Sequence, residues 1–174
     1  MQEIGVDFKE TKSIGTAVYC ASNNEFKGNI VFADIIKQDS KEAIARLKSM
    51  GISNTVMLTG DKEPIARDVA AKAGIDTVYA KLMPADKVER VIELQQQGAN
   101  VLYTGDGIND APVLAQADLG VAMGGVGSDV AIEAADMVIM GDSLSKIPVG
   151  RRIAKKALRI VKENIIFSLG VKIL

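Results

Sequence analysis

The sequence has no histidine and a single cysteine, Cys20, among its 174 residues. Histidine is the commonest general base near neutral pH, so any catalysis here must use carboxylates, lysine, hydroxyls and a hard metal ion. One cysteine excludes a disulfide within the chain and a zinc site of the Cys/His type. We expect Cys20 to be a buried apolar residue. The net charge of −1 gives no indication of nucleic acid binding.

Charge is unevenly distributed along the chain. Residues 145–174 carry a net charge of +7, which leaves −8 for residues 1–144. From Pro148 onward the pattern predicts one long helix with a basic and an apolar face, followed after Asn164 by a short apolar run. A membrane-spanning helix needs about 20 apolar residues. We interpret this run as the beginning of such a helix, with the basic residues marking its cytoplasmic side.

Short apolar segments alternate with amphipathic ones between residues 39 and 140. The apolar segments predict strands at 55–58, 77–80, 100–103, 119–122 and 137–140, and the segments between them predict helices. This alternation favours an α/β fold with a parallel sheet covered by helices on both faces. Two β-like runs within residues 15–33, joined by a turn-rich linker, predict a hairpin ahead of the sheet.

The string from Gly105 to Asp110 carries the clearest chemistry. Two carboxylates, Asp106 and Asp110, lie four residues apart at a predicted strand-to-helix turn, and glycines allow close backbone approach. Magnesium is typically held by one or two carboxylates together with phosphate and water. A Gly-Asp-Gly alone is also typical of a solvated turn or helix cap. The whole six-residue string is more specific and predicts a magnesium–phosphate site.

Two further elements lie where the same site would need them. Thr59, Gly60 and Asp61 follow a predicted strand, where a hydroxyl and free backbone N–H groups can hold phosphate oxygens. Lys87 lies in the helix that begins at Pro84, and a lysine can neutralise a phosphoryl group. Each is weak alone, because helix caps and solvated lysines are common. Their order along the chain, each near a strand end or a helix start, supports one shared site.

The motifs at 57–61, 84–87 and 104–114, in this order, resemble the phosphorylation domain of P-type ATPases, within the haloacid-dehalogenase superfamily. The resemblance extends from about residue 28 to the end and favours the heavy-metal branch. It implies a haloacid-dehalogenase-like Rossmannoid parallel sheet with helices on both faces. It also implies three segments: a remnant of a nucleotide-binding domain at 1–33, the phosphorylation domain at 34–148, and at 149–174 a basic linker helix leading into a truncated membrane helix.

The resemblance also implies roles for individual residues. Thr59 would bind the phosphoryl group, Lys87 would stabilise it, and Asp106 would ligate Mg²⁺. The remaining residues have three implied roles. Asn109 and Asp110 would complete the metal site, the latter in the second shell of Mg²⁺. Gly60 and Asp61 would lie beside the nucleotide phosphates, and Gly105 and Gly107 would shape the cofactor-binding loop.

The C-terminal run from Asn164 to Lys172 is similar to the start of the seventh membrane helix of zinc, cadmium and lead pumps. That class has a lysine at this place, so the resemblance implies that Lys172 lies near the transported ion. The implied cofactors are Mg²⁺ and ATP. The implied partners are a transported divalent metal, the membrane and the rest of the pump chain. The whole protein would be an integral membrane protein, with this segment cytoplasmic up to about residue 163.

One departure from the family is large. The phosphate acceptor of these pumps lies in an Asp-Lys-Thr-Gly-Thr string, which the 174 residues do not contain. The sheet should therefore lack its central acceptor strand. Three hypotheses remain: a fragment of a heavy-metal pump, a stand-alone phosphatase of the same superfamily, and a non-catalytic module derived from a pump. A phosphatase would need its own nucleophile before Thr59, and Asp34 follows an apolar strand but lacks the expected sequence after it.

Overall fold

The structure is a computed structural model that describes residues 16–23, 25–32, 35–105, 108–124, 129–141 and 143–173. Its first element is the predicted hairpin, in which β1 (Thr16–Ser22) pairs antiparallel with β2 (Glu25–Phe32). Cys20 is exposed, so the prediction of a buried cysteine is wrong. The reason is that a two-stranded ribbon cannot bury its own faces. Ile30 and Phe32 are likewise more than half exposed.

The predicted alternation of strands and helices is present in the rest of the chain. In order, the elements are α1 (Ser40–Ser49), β3 (Val56–Leu58), α2 (Glu63–Ala73), β4 (Thr77–Tyr79), α3 (Pro84–Gln96), β5 (Leu102–Gly105), α4 (Ala111–Gln116), β6 (Leu119–Gly124), α5 (Asp129–Ala134), β7 (Met137–Met140) and α6 (Lys146–Ile173). A single 3-10 turn, Ile108–Asp110, connects β5 to α4. The pairs β3–β4, β5–β6 and β6–β7 are all parallel.

The parallel strands form two sheets rather than one. One contains β3 and β4, and the other has the order β5-β6-β7. Within the described residues, no backbone pairing joins β3 to β5.

Small residues allow the helices to pack closely on the strands. In α2, Ala66, Ala70 and Ala73 are buried, and the helix ends at Gly74, whose φ of 78° is the left-handed conformation that glycine adopts without strain. At Gly120 in β6, an added Cβ would lie 2.3 Å from the carbonyl oxygen of Leu114. The end of α4 therefore rests directly on the β6 backbone, which leaves no room for a side chain.

Three aspartates fix the starts of neighbouring strands. Each precedes a strand, and its carboxylate accepts a backbone N–H from the strand beside it. The bonds run from Thr55 to Asp76 at 3.0 Å, from Val101 to Asp118 at 2.8 Å, and from Gly120 to Asp136 at 2.8 Å. These charge-assisted bonds hold the amino ends of adjacent strands in register.

The last helix differs from its prediction. α6 continues without interruption from Lys146 to Ile173. No helix in the described part of the chain is both long enough and apolar enough to cross a membrane. The expected beginning of a membrane helix after Asn164 is therefore not supported.

The break in the sheet predicts how the isolated chain behaves. β3 and β5 each carry backbone groups on an edge that has no strand partner among the described residues. Such edges pair readily with other chains. We expect self-association or weakly cooperative melting, measured by sedimentation velocity and calorimetry. A monomer that melts cooperatively at high temperature would contradict this expectation.

Asp76 makes stability depend on pH in a predictable direction. Its hydrogen bonds with the Lys48 ammonium (2.6 Å) and the Thr55 hydroxyl (2.8 Å) lower its pKa from 3.8 to about 2. Because the folded-state pKa lies below the unfolded one, this stabilisation is complete above pH ~4 and disappears as the pH falls towards ~2. In Asp76→Asn, urea unfolding should show lower stability at neutral pH and a shallower loss of stability across that acid range.

A matched control is Asp68→Asn, which removes a carboxylate paired with Lys72 on the surface of one helix. Exposed pairs of this kind contribute little to stability. The control should therefore keep nearly the full acid dependence. If the free energy of unfolding fell equally steeply with acid in Asp76→Asn and in the unaltered chain, Asp76 would not be the origin of the pH dependence.

Candidate phosphate and magnesium site

A cavity of about 330 Å³ is bordered by residues of both sheets. Leu58, the last residue of β3, borders it on one side, and Tyr103, Thr104 and Gly105 of β5 border it on the other. Both strands are represented at their carboxyl ends, the edge at which ligands bind in parallel α/β sheets. The break in the sheet and the candidate site therefore occupy the same place.

Lys87 and Asp110 meet in this cavity, as the sequence predicted. The Lys87 ammonium donates to Oδ1 of Asp110 at 2.8 Å, and their side chains are 17% and 13% exposed. The Tyr103 hydroxyl donates to the same oxygen at 2.9 Å. Lys87 lies in the first turn of α3, which begins at Pro84, while Asp110 ends the 3-10 turn immediately before α4. The first turn of α3 and the turn before α4 thus bring a positive and a negative side chain into contact.

Gly105 makes room for this carboxylate. A Cβ at Gly105 would lie 2.8 Å from both Cβ and Oδ2 of Asp110, closer than side-chain atoms normally approach. The side chain of residue 105 must therefore be absent for Asp110 to turn back over β5. Beside it, the Thr104 hydroxyl is buried in the cavity wall and has no hydrogen-bond partner among the described residues. A buried hydroxyl of this kind normally has a hydrogen-bond partner, so a ligand that binds to oxygen atoms fits here.

Thr59, Gly60 and Asp61 follow β3 directly but do not line the cavity. The Thr59 hydroxyl donates to Oδ2 of Asp61 at 2.8 Å and accepts the Asp61 backbone N–H at 3.1 Å. This closed turn sits beside Leu58, which does line the cavity. The structure thus places the predicted phosphate-binding turn next to the site, with its hydroxyl engaged locally.

The other predicted residues are placed as follows. Asn109 is exposed beside Asp110, and Lys172 is exposed near the end of α6. Asp106 and Gly107 lie outside the described residues, as does Asp34, the nucleophile that the phosphatase hypothesis considered. In the part of the chain that the structure describes, no three acidic or cysteine side chains are grouped closely enough to hold a metal ion.

The described residues nevertheless fit a magnesium ion that arrives with phosphate. Magnesium keeps several waters and needs one or two carboxylates. Asp110 supplies a carboxylate and Thr104 supplies the unpartnered hydroxyl oxygen. The Lys87 ammonium beside them would attract phosphate oxygens.

Sequence reasoning missed Tyr103 and Thr104. Both precede Gly105 in β5, and residues at the carboxyl end of a strand border the site whichever face they occupy. The location of both residues at the carboxyl end of a strand was the signal that could have identified them as site residues. The hydrogen bond from Tyr103 to Asp110 depends on how the chain folds back after Gly105, which the sequence pattern does not show.

The comparisons with known proteins agree with this geometry. Residues 4–118 match the family model described as haloacid dehalogenase-like hydrolase. The chain is 51% identical to the cadmium, zinc and cobalt-transporting ATPase of Bacillus subtilis, over 92% of this chain and 23% of that protein. It is 42% identical to the copper-exporting P-type ATPase of Staphylococcus haemolyticus, over 99% of this chain and 22% of that protein.

A solved structure gives the same result. The fold is similar to the crystal structure of a zinc-transporting PIB-type ATPase in its E2.Pi state, with a TM-score of 0.80 and 35% identity over 90% of this chain and 25% of that one. The chain belongs to the haloacid dehalogenase-like hydrolase family. Within it, the chain corresponds to a segment of the heavy-metal P-type ATPases, which confirms the resemblance seen in the sequence. It spans about a quarter of the length of the curated relatives it matches.

The Lys87–Asp110 pair is open to a direct test. Breaking a buried ion pair from one side leaves the other charge without its partner, which costs about 3–5 kcal/mol for full burial. The residual exposure of both side chains reduces this, so we expect Lys87→Met to lower the free energy of unfolding by about 2 kcal/mol. The double variant Lys87→Met/Asp110→Asn should recover part of the loss. Urea unfolding of the unaltered chain, Lys87→Met, Asp110→Asn and the double variant measures the coupling energy between the two side chains. Strictly additive effects would show that the pair contributes nothing.

Proposed function

We propose that this chain supplies the magnesium-binding and phosphate-stabilising half of the phosphorylation site in an ATP-driven heavy-metal cation pump. The observation that carries the proposal is the cluster of Lys87, Asp110 and Tyr103 at the break between β3 and β5. A phosphorylation site needs a cation for the phosphoryl oxygens and a carboxylate for the metal. Both lie here at the carboxyl edge of the sheet, beside an open strand position.

The proposed roles are those that the family resemblance implies, and the contact between Lys87 and Asp110 supports the roles of these two residues. The Thr59 hydroxyl, released from Asp61, would donate to a phosphoryl oxygen, while Lys87 neutralises the charge that develops on that group. Asp106 would ligate Mg²⁺, with Asn109 and Asp110 completing the site, the latter in the second shell of the ion. Bound Mg²⁺ supplies further positive charge for the phosphoryl oxygens. The proposed nucleotide-phosphate and loop residues are Gly60, Asp61, Gly105 and Gly107.

The missing half is proposed to come from elsewhere in a longer pump chain. A strand carrying an acceptor aspartate would fit between β3 and β5, with its carboxyl end beside Lys87. Such a strand would satisfy the backbone groups on both edges, as happens when an extended peptide joins a sheet. The nucleotide-binding and membrane domains would come from the same chain. We further propose that the cargo is a divalent heavy metal and that Lys172 contributes to its path.

The stand-alone phosphatase is less well supported. It requires a nucleophilic carboxylate facing the phosphate. Of the described residues lining the cavity, Asp110 carries the carboxylate, and both Lys87 and Tyr103 already bind its Oδ1. A group held in this way is suited to binding a metal rather than to attack. The similarity to transporting ATPases over more than nine-tenths of the chain also favours the pump fragment over a derived regulatory module.

The proposal predicts that this chain alone does not form a stable aspartyl phosphate. With γ-labelled ATP and Mg²⁺, no acid-precipitable label should remain on it, because it lacks the acceptor string. A longer peptide that carries an apolar strand, Asp-Lys-Thr-Gly-Thr and the nucleotide-binding domain, added in excess, should become labelled on its aspartate when the chain is present.

The matched controls are Lys87→Met in the chain and Asp→Asn in the acceptor string of the peptide, and both should abolish labelling. Circular dichroism would establish that the Lys87→Met protein remains folded. Stable label on the chain without the peptide would contradict the proposal.

A further inference from the structure

Two donors share one oxygen of Asp110. Its Oδ1 accepts the Lys87 ammonium at 2.8 Å and the Tyr103 hydroxyl at 2.9 Å. All three residues are partly buried, and a hydrogen bond to a charged group stabilises more than one between neutral groups. The proposed function gives Lys87 a task, the binding of phosphoryl oxygens, but assigns none to the Tyr103 hydroxyl.

The Asp110 carboxylate is diverted from its usual local role. Asp110 immediately precedes α4, and an aspartate at this position normally accepts a backbone N–H from the first turn of its own helix. Its side chain makes no such bond to α4, all of whose residues the structure describes. The carboxylate instead lies against Gly105 of β5 and accepts from Lys87 and Tyr103. A local preference that is given up in this way is typical of a functional site.

The two donors differ in how firmly they are held. The Tyr103 ring packs against a buried cluster from α4, β6 and α5, which consists of Leu114, Ala122 and Ala131. A tyrosine side chain has only two torsion angles, so a ring fixed in the core leaves its hydroxyl in a nearly fixed position. Lys87 carries its ammonium on a flexible four-carbon stem. Tyr103 is therefore the stationary donor and Lys87 the movable one.

A phosphoryl group in the cavity would compete for one of these donors. Its oxygens attract the Lys87 ammonium, and each hydrogen bond that Lys87 gives to phosphate is one fewer for Asp110. A partly buried carboxylate left without donors is strongly destabilising. The Tyr103 hydroxyl keeps a donor on Oδ1 when Lys87 turns away. Asp110 can then stay in place during the reaction.

We propose that Tyr103 is a positioning residue for phosphoryl transfer: its hydroxyl holds Asp110 in place while Lys87 turns from the carboxylate to the phosphoryl oxygens. The same hydrogen bond ties the two ends of the segment from Gly105 to Asp110 together. That segment contains Asp106, the proposed magnesium ligand. Tyr103 thus acts through Asp110 rather than on the phosphoryl group. The inference rests on the proposed function.

The first test measures the shared hold on Asp110 without any ligand. Tyr103→Phe and Lys87→Met should each lower the equilibrium constant for folding, because each leaves Asp110 with one donor. The double variant leaves it with neither, so its constant should fall roughly tenfold further than the product of the two single effects. Phenylalanine keeps the ring in its cluster, so Tyr103→Phe removes the hydroxyl alone. Urea unfolding measures all four constants, and single effects that simply multiply would overturn the proposal.

The matched control for this test is Tyr79→Phe. Tyr79 ends β4, and the Arg90 guanidinium lies over its ring at 4.6 Å. Combined with Lys87→Met, this variant should give the product of the two single effects. Adding Asp110→Asn to the Lys87→Met/Tyr103→Phe variant should recover much of the lost stability, because the charge without donors is gone. An equal excess loss with Tyr79→Phe, or no recovery with Asp110→Asn, would overturn the proposal.

The second test measures phosphoryl transfer. The chain is mixed with γ-labelled ATP, Mg²⁺ and the longer peptide that carries the acceptor string, and the labelling rate is followed as the peptide concentration rises. Tyr103→Phe should lower the maximal rate by roughly tenfold, as expected for one lost hydrogen bond to a charged group. The half-saturating peptide concentration should not change, because the lost interaction matters only during transfer. Tyr79→Phe should change neither quantity.

The outcomes of the second test separate this inference from the proposed function. A normal maximal rate in Tyr103→Phe would overturn the inference alone. So would a normal maximal rate that needs more peptide, since a chain that is only less stable needs more peptide to complete its fold. No labelling with the unaltered chain would overturn the proposed function and this inference with it.

Discussion

The arrangement of this protein depends on how its short parallel strands are held in register at their amino ends. Strands of three to six residues make few backbone bonds, so each pairing needs further support. Asp76, Asp118 and Asp136 supply it, because each carboxylate binds a backbone N–H beside the start of the neighbouring strand. A one-residue slip would turn every side chain to the opposite face. With the amino ends fixed, the carboxyl ends that carry the site are fixed as well.

The same constraint explains why the site can exist at an interrupted sheet. β3 is held by β4, and β5 is held by β6, so neither strand depends on the other for its position. Lys87 comes from α3, which follows β4, whereas Asp110 comes from the turn after β5. Their 2.8 Å contact therefore links the two halves across the break. This ion pair and the hydrogen bond from Tyr103 hold the cavity in shape where backbone pairing is missing.

Sequence reasoning identified most elements because their ends are locally encoded. The predicted strand at 137–140 coincides with β7, and α2 and α4 are among the helices predicted between the strands. Proline near the helix starts, Gly74 after α2 and a compact apolar run in β7 mark these elements locally. β5 was predicted two residues too early. The Val101 N–H binds the Asp118 side chain, and strand pairing begins only at Leu102. That shift depends on a contact 17 residues away in sequence, which no local pattern contains.

The candidate site was predictable as a set of motifs but not as a geometry. The motif order placed Lys87 and Asp110 together because both follow strands of the single parallel sheet that the sequence predicted. The roles of Tyr103 and Thr104 depend instead on how closely Asp110 folds back over Gly105, a distance set by packing. The beginning of a membrane helix failed as a prediction for a different reason. The apolar run after Asn164 was interpreted as the beginning of such a helix although it is much shorter than the about 20 residues that a membrane span needs, and the described helix is basic through much of its length.

The start of α6 connects its exposed surface to the body that carries the site. Ile147 is 3% exposed and packs with Val121 of β6 and Ile139 of β7. Just before the helix, the Ser143 hydroxyl donates to Asp39, and that bond lowers the pKa of the Asp39 carboxyl below its usual value. Because packed cores deform little, a rigid reorientation of α6 has to carry β6 and β7 with it or expose Ile147. Since β6 pairs with β5, such a movement would reach Thr104 and Gly105 in the cavity wall through neighbouring strands.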